Sequence, residues 1–485
     1  MATSPPASGL TDRIAEALPR PGQPMTPAVP IFIGLGVLVS GFALLSDHPE
    51  YAIGFLAGII VFIASGLSLE LLMAGLLVNV MMGSARLFES PLFNLNRILG
   101  VMILLGLLLK VFLIQAQRFN LHRLTITTAV FGFGVFASCI FAQHQGYAFP
   151  TLRTYIRVFI LFILLSNLVT SRGWLRAYLL FACAGGAVMG VLGFIKNYDV
   201  HAGRSGGLNA LGDFNQFGLM LATLVPFTIW GMRREPSVPL RVLHFIVFCG
   251  LTVGLVGTGS RGAYLGLMAA IGVLIIAGAI SRLLVIPGLA VLFIGLALSG
   301  ATILERFTNV LEIFTSDRSN MSVDAINAMN RIDYIRAGIP MFLSHPITGV
   351  GLNNFQAQYL DYLPEDARMR IPRDAHNTWL KVLAEMGVVG FIPFALLFFW
   401  SFQGAWRLHR QTRPWLHHGE PNPNADPLVS DIAICTVAAL ASYCVAGTFV
   451  VAQSMDIIWV LFGLVAALTW RPLPAAPDAA KTAHS

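Results

Sequence analysis

Two glycine-rich segments each contain an arginine that could bind a phosphate group. Residues 201–216 hold Arg204, and residues 257–262 hold Arg261 with glycines on either side. A guanidinium matches phosphate oxygens with two parallel hydrogen bonds and keeps its charge, and neighbouring glycines let the backbone approach a ligand closely. These segments indicate a phosphate-binding site, and the alternative is that each arginine reaches into the lipid headgroups.

A third segment, residues 374–390, contains a histidine that could act as a base. Asp374 is a residue type favoured at helix N-caps, so we expect a helix to start there with His376 in its first turn. The positive end of a helix disfavours a protonated imidazole, so the ring would stay neutral and could accept a proton. A neutral base beside phosphate-binding arginines fits the transfer of a group from a phosphorylated lipid carrier. The alternative is a structural histidine at a membrane interface.

Three further charged residues are secondary candidates for the same site. Arg153 and Arg157 are four residues apart and therefore share one face of a helix. They could guide a phosphate group into the membrane, or they could anchor the helix in the headgroups. Asp456 follows an outward turn and could orient His376.

The sequence favours neither a metal site nor a nucleotide cofactor. It contains no His-Glu-x-x-His motif and no glycine-rich phosphate loop followed by lysine. Asp47 and Glu50, in the first outward loop, come nearest to a metal-binding carboxylate pair, with a solvated loop as the alternative. We therefore predict no metal ligands and no cofactor.

The composition shows which kind of element must position these residues. Only 11% of the 485 residues are charged and 56% are hydrophobic, whereas a soluble domain has roughly 25% charged residues. The chain is therefore predicted to be an all-α polytopic membrane protein. Its net charge of +7 does not indicate nucleic-acid binding, because the basic residues cluster in short links that are typical of cytoplasmic loops. These links are residues 118–123, 172–176, 233–241 and 407–413.

Apolar runs long enough to cross a bilayer number about fourteen, or about twelve if some are re-entrant or merged. They lie near 29–46, 51–66, 67–83, 98–115, 124–142, 151–169, 174–194, 214–231, 242–258, 262–280, 283–300, 377–405, 428–450 and 456–470. With the basic links in the cytoplasm, both termini are cytoplasmic and the three candidate segments face the other side. The predicted divisions are a disordered tail (1–28), N-terminal membrane helices (29–300), an extracytoplasmic helical subdomain (301–375), C-terminal membrane helices (376–470) and a second disordered tail (471–485).

The predicted subdomain stands out by its charge. Residues 301–375 contain 16 of the 55 charged residues and no lysine. An amphipathic helix is predicted there, ended by Pro346, because the residue before a proline disfavours helical geometry. A tight turn at 349–351 and a second helix near 352–362 should follow. The side chains at helical spacing that define the first helix are Arg331, Tyr334, Ile335, Gly338, Ile339 and Phe342.

These motifs together resemble the O-antigen ligase family, within the superfamily of O-antigen polymerases and bacterial O-linked oligosaccharyltransferases. The resemblance extends from about residue 150 to 470, and Arg204 lies where the family has a second functional arginine. His376 and Asn377 are followed, after nine residues, by a Gly-Val-Val-Gly sequence at 387–390. The other matching stretches are Arg331-Ile-Asp-Tyr, Pro346 to Phe355, and Thr258-Gly-Ser-Arg261-Gly.

The resemblance implies a metal-independent, inverting glycosyltransferase of lipopolysaccharide biosynthesis, with a GT-C-like fold of membrane helices. It would lie in the bacterial inner membrane among membrane lipids, with its active site facing the periplasm. The donor would be O-antigen on undecaprenyl pyrophosphate, and the acceptor a sugar hydroxyl of the lipid A core. His376 would be the base and Arg204 and Arg261 would hold the pyrophosphate, with Arg331 and Asn377 as further candidates.

Three alternatives remain open from the sequence. A polymerase would use the same donor with a second carrier-linked glycan as acceptor. An oligosaccharyltransferase would act on protein, although such enzymes usually have a longer C-terminal part. A lipid or polysaccharide transporter belongs to another class, and its expected features, repeat symmetry and a charged site near the middle of the bilayer, are not evident here.

Overall fold

A computed structural model describes the structure of the protein at residues 69–82, 95–108, 119–196, 198–199, 204–206, 213–280, 323–367, 370–415, 420–471 and 473. These residues form thirteen helices and one pair of two-residue strands. The helices are α1 (Leu69–Met81), α2 (Leu95–Leu108), α3 (Arg123–Ile140), α4 (Gln145–Leu168), α5 (Arg172–Lys196), α6 (Phe214–Arg234), α7 (Val238–Thr258), α8 (Arg261–Ile276), α9 (Val323–Ser344), α10 (Phe355–Tyr362), α11 (Thr378–Thr412), α12 (Pro427–Gly447) and α13 (Asp456–Trp470). The strands, β1 (Tyr198–Asp199) and β2 (Arg204–Ser205), pair antiparallel.

The predicted apolar runs form helices wherever the structure describes them, and this confirms an all-α polytopic membrane protein. Six helices, α3, α4, α5, α7, α11 and α12, are long and apolar enough to cross a membrane. Three more, α1, α8 and α13, are apolar but shorter. The predicted spans 29–46, 51–66 and 283–300 lie outside the described residues, as do both predicted tails apart from residues 471 and 473. The total number of spans therefore stays a prediction.

Small residues let several of these helices pack at close range. A Cβ added to Gly254 of α7 would lie 2.4 Å from the Cα of Gly190 on α5, and one added to Gly266 of α8 would lie 2.7 Å from the carbonyl oxygen of Ser442 on α12. Such contacts are how membrane helices gain packing energy without a hydrophobic driving force between them. The helices near the candidate site are therefore held rigidly against one another.

The described part of the predicted subdomain consists of α9 and α10, and α9 ends at Ser344 as the proline predicted. The two helices share a small apolar core with the start of α11, through Tyr334, Met341, Phe355, Tyr359 and Leu380. The residues that define the predicted helix differ in their burial. Ile335 and Ile339 are 45% and 46% exposed, because α10 and α11 pack against the neighbouring face of the helix.

The long helix α11 is kinked at Gly387, which has φ +57°. A Cβ there would lie 2.4 Å from the carbonyl oxygen of Ile347, so the position needs glycine. The amides of Val388 and Val389, which follow the kink, donate to Pro346 and Ile347 at 2.9 and 3.2 Å. The amides of Val350 and Gly351, in the tight turn before α10, donate to the carbonyls of Ala384 and Glu385 at 2.9 and 3.1 Å, just before the kink. These hydrogen bonds on both sides of Gly387 fix the subdomain on the membrane helices.

Candidate active site

The N-termini of α6 and α8 meet at one end of the helix bundle. Asp213 caps α6 by accepting from the amides of Asn215 and Gln216 at 2.9 and 2.8 Å. Ser260 caps α8, and its hydroxyl also donates to Asn215 Oδ1 at 2.9 Å. This hydrogen bond joins the two helix starts and places Arg261, the first residue of α8, at their junction.

The start of α11 is tied to the same place by the loop between α12 and α13. Gln216 Nε2, on α6, donates to the carbonyl of Val451 at 2.8 Å. Thr378 Oγ1, on α11, donates to the carbonyl of Val450 at 2.6 Å and accepts from the amide of Ala452 at 3.0 Å. The segments of Arg261 and His376, separate in sequence, are therefore brought to one site.

The backbone at His376 differs from the sequence prediction. The N-cap of α11 is Asn377, whose Oδ1 accepts from the amide of Leu380 at 3.0 Å. The prediction that Asp374 caps this helix with His376 in its first turn is wrong, because the Asp374 carboxylate is engaged by Lys381 and by the amide of Ala375. His376 lies just before the helix in a left-handed conformation, with φ +45°.

The imidazole of His376 is half-buried and packs against the ring of Tyr334 on α9. The ring centroids are 5.4 Å apart and the planes are inclined by 31°. Burial lowers the pKa of His376, and the carboxylates of Asp374 and Asp213 offset this only in part. The positive charges of Arg331 and Arg373 lower it further. The ring is therefore neutral at neutral pH, as expected, although burial rather than a helix end is the main cause.

Arg331 lies near this histidine, whose pKa its charge lowers. Arg331, on α9, holds its guanidinium over the ring of Phe449, 5.3 Å from the centroid. Desolvation of the guanidinium is the larger cause that lowers the pKa of Arg331, and the positive charge of Arg261 lowers it further. Two cations near each other and two helix N-termini beside them make a site of positive potential that suits an anion.

Arg204 belongs to β2, in register with Asp199 of β1. This hairpin lies against α7, and the carbonyl oxygen of Gly206 approaches to 2.6 Å of a Cβ placed on Gly193, near the end of α5. Since α5 and α7 both end at the site end of the bundle, Arg204 lies at the same end as Arg261.

The secondary candidates are found at the same end, with other partners. Asp456 binds Arg157 of α4 at 3.2 Å, so its partner in the structure is an arginine. Arg153 is exposed on the same helix. Asn377 serves as the helix cap already described.

Sequence reasoning missed Tyr334, Arg373, Lys381 and Glu385 as residues of this site. Tyr334 and Arg373 gave no signal, because an aromatic or an arginine in a charged subdomain is ordinary. Lys381 and Glu385 could have been recognised from the sequence, since a pair of opposite charges four residues apart in an apolar membrane helix is costly and usually functional. Among the described residues, no group of three His, Cys, Asp or Glu side chains is placed to hold a metal ion.

The fold and site define a class: an all-α polytopic membrane protein with a polar site of arginines and a neutral histidine at one end of its bundle. Residues 244–395, less than half of the chain, match a family model described as O-antigen ligase. The matched segment runs from α7 into α11 and includes Arg261, Arg331 and His376. A comparison with curated proteins gave no match.

Proposed function

We propose that this protein is an O-antigen ligase. The acceptor is a sugar hydroxyl of the lipid A core, and its oxygen attacks the anomeric carbon of O-antigen carried on undecaprenyl pyrophosphate. The bond from that carbon to the pyrophosphate oxygen breaks, and undecaprenyl pyrophosphate leaves. The hydroxyl proton passes to His376, and the anomeric configuration inverts.

The observation that carries this proposal is a half-buried imidazole near Arg331, with Arg261 close enough to Arg331 for the two charges to interact. The ring must be unprotonated to take a proton, and burial keeps its pKa below the usual range. Arg261 and Arg331 supply positive charge where negative charge develops on the leaving group, and Arg204 is proposed to join them. A sugar pyrophosphate is already activated, so positioning and charge stabilisation can carry most of the barrier without a metal or a nucleotide.

The proposed location is the inner membrane, with the site facing the periplasm. Basic residues collect at the other end of the bundle, where Arg172 pairs with Asp426 and Arg123 lies over Trp400 at 4.7 Å. This distribution is typical of a cytoplasmic face. Undecaprenyl-pyrophosphate glycan and lipid A core would then reach the site from the outer leaflet. A polymerase remains the second candidate, because the family match at residues 244–395 does not distinguish the two acceptors.

The test is a reaction with purified protein in liposomes that contain lipid-linked glycan and lipid A core, with EDTA and without ATP. A product in which glycan is attached to the core is expected. Lengthened lipid-linked glycan would show a polymerase instead, and no covalent product would contradict a transferase of either kind.

A further inference from the structure

Lys381 is a buried cation that connects the histidine loop to three other segments. Its Nζ lies 2.7 Å from each carboxylate oxygen of Asp374 and 3.2 Å from Asn353 Oδ1. It also lies 3.5 Å from Glu385 Oε1, which accepts a hydrogen bond from the first amide of α10, at Phe355. Lys381 and Glu385 are only 5% and 1% exposed. One ammonium thus holds together the loop before α11, α11 itself, the turn at 349–354 and the start of α10.

The same ammonium lies between two strained backbone positions. Among the residues that the structure describes, Asn353 (φ +56°) and His376 (φ +45°) are the non-glycine residues with a left-handed backbone. Lys381 binds the side chain of Asn353 directly and holds Asp374, two residues before His376. Strained conformations persist only where the surrounding structure fixes them, and they collect at functional sites.

We infer that Lys381 is the positioning residue of His376, holding the loop so that the imidazole stays in its left-handed conformation against Tyr334 with the Asp374 charge neutralised. This inference rests on the proposed function, in which His376 accepts the proton. A lysine suits the role because its three hydrogens can point to three oxygens, whereas the planar guanidinium of arginine requires a different arrangement.

The charges that face His376 determine how the loss of Lys381 should change the pKa of His376. They come from its own loop, from the start of α6 and from α9, and they are Asp374, Arg373, Asp213 and Arg331, with the Tyr334 hydroxyl as a further titratable group. The loss of Lys381 would remove the ammonium that lies against Asp374, whose side chain is 32% exposed. The full negative charge of Asp374 would then favour imidazolium and raise the pKa of His376.

The experiment measures this pKa without relying on turnover. The full-length protein in nanodiscs is treated with diethyl pyrocarbonate across pH, and modification of the peptide that contains His376 is followed by mass spectrometry. Lys381→Met should raise the pKa of His376. It should also lower kcat at least tenfold while the KM for lipid-linked donor changes less than threefold, because the arginines are untouched. Lys381→Arg should recover only part of kcat.

Asp374→Asn keeps the experiment decisive if Lys381→Met does not fold. The amide oxygen can still accept from Lys381, so the loop should remain anchored, while loss of the charge should lower the pKa of His376. A wild-type kcat in Lys381→Met, or an unchanged pKa of His376 in Asp374→Asn, would overturn the inference. If instead both shifts occur but His376→Ala transfers glycan normally, the positioning by Lys381 stands and the proposed role of His376 fails.

Discussion

At the scale of single residues, the proposed pyrophosphate site rests on Arg261 and Arg331. Desolvation lowers the pKa of Arg331, and the positive charge of Arg261 lowers it further because the two cations repel each other. A pyrophosphate between them would remove the repulsion and accept paired hydrogen bonds from each planar guanidinium. Because charge on the leaving group grows in the transition state, these contacts should act mainly on kcat.

The Arg261→Lys variant should therefore transfer glycan with a much lower kcat than the wild type. A lysine offers a point charge without the two-pronged geometry. Losing one contact to developing charge should cost roughly 2.7–4 kcal/mol, or about 10²–10³ in kcat, by analogy with removal of an oxyanion-hole donor. The rate of glycan transfer at saturating donor measures the effect.

Arg410→Lys is the matched control, because Arg410 is exposed in the last turn of α11 at the far end of the bundle. It should transfer glycan at the wild-type rate. Equal activity of Arg261→Lys and Arg410→Lys, at equal protein levels, would mean that Arg261 only contacts lipid headgroups.

At the scale of elements, the kink of α11 is the feature that joins the subdomain to the membrane helices. A Cβ at Gly387 would meet the backbone of Ile347, and the left-handed backbone disfavours any side chain. Gly387→Ala should lower stability by at least roughly 1–3 kcal/mol from backbone strain alone. Thermal unfolding of the detergent-solubilised protein would measure this.

Gly272→Ala provides the comparison in a straight helix. Nothing lies within 4 Å of a Cβ added to Gly272 in α8, so alanine should be neutral or should stabilise the helix by up to about 1 kcal/mol. If the two substitutions change the melting temperature equally, the kink does not depend on glycine.

The cap of α11 gives a second prediction for this element. Asn377→Ala removes the side chain that accepts from Leu380, and should lower stability by about 0.5–2 kcal/mol. Asn377→Ser keeps a capping oxygen and should restore most of the melting temperature. Equal losses in both variants would show that Asn377 acts through something other than the cap.

The positions of the helices could be predicted from the sequence, whereas their packing contacts and caps could be predicted less well. The apolar runs of α3, α5 and α12 are long, and a buried membrane helix needs little else. In α9 the helical spacing predicts an amphipathic helix without showing which apolar residues are buried, and the packing uses Tyr334 and Met341 rather than Ile335 and Ile339. The predicted N-cap of α11 was wrong because Asp374 and Asn377 are equally good capping residues until Lys381 engages one of them.

The whole molecule has its basic links at one end and its arginine–histidine site at the other. If the basic end is cytoplasmic, Glu365, exposed after α10, faces the periplasm. With the exposed Cys249 replaced by serine, Glu365→Cys should react with a membrane-impermeant thiol reagent in intact spheroplasts. Arg410→Cys should react only after the membrane is permeabilised. Labelling in the reverse order would contradict a periplasmic site.

The role of His376 as the base that accepts the proton during glycan transfer is tested most directly by its own titration and substitution. A general base contributes about 10²–10⁴-fold, so His376→Ala should reduce kcat by that factor while binding of the lipid-linked donor persists. In the wild type, kcat at saturating donor should fall as pH drops through a His376 pKa below the usual 6.5, because imidazolium cannot accept the hydroxyl proton. If His376→Ala keeps most of its activity, with the same loss at acid pH as the wild type, another group is the base.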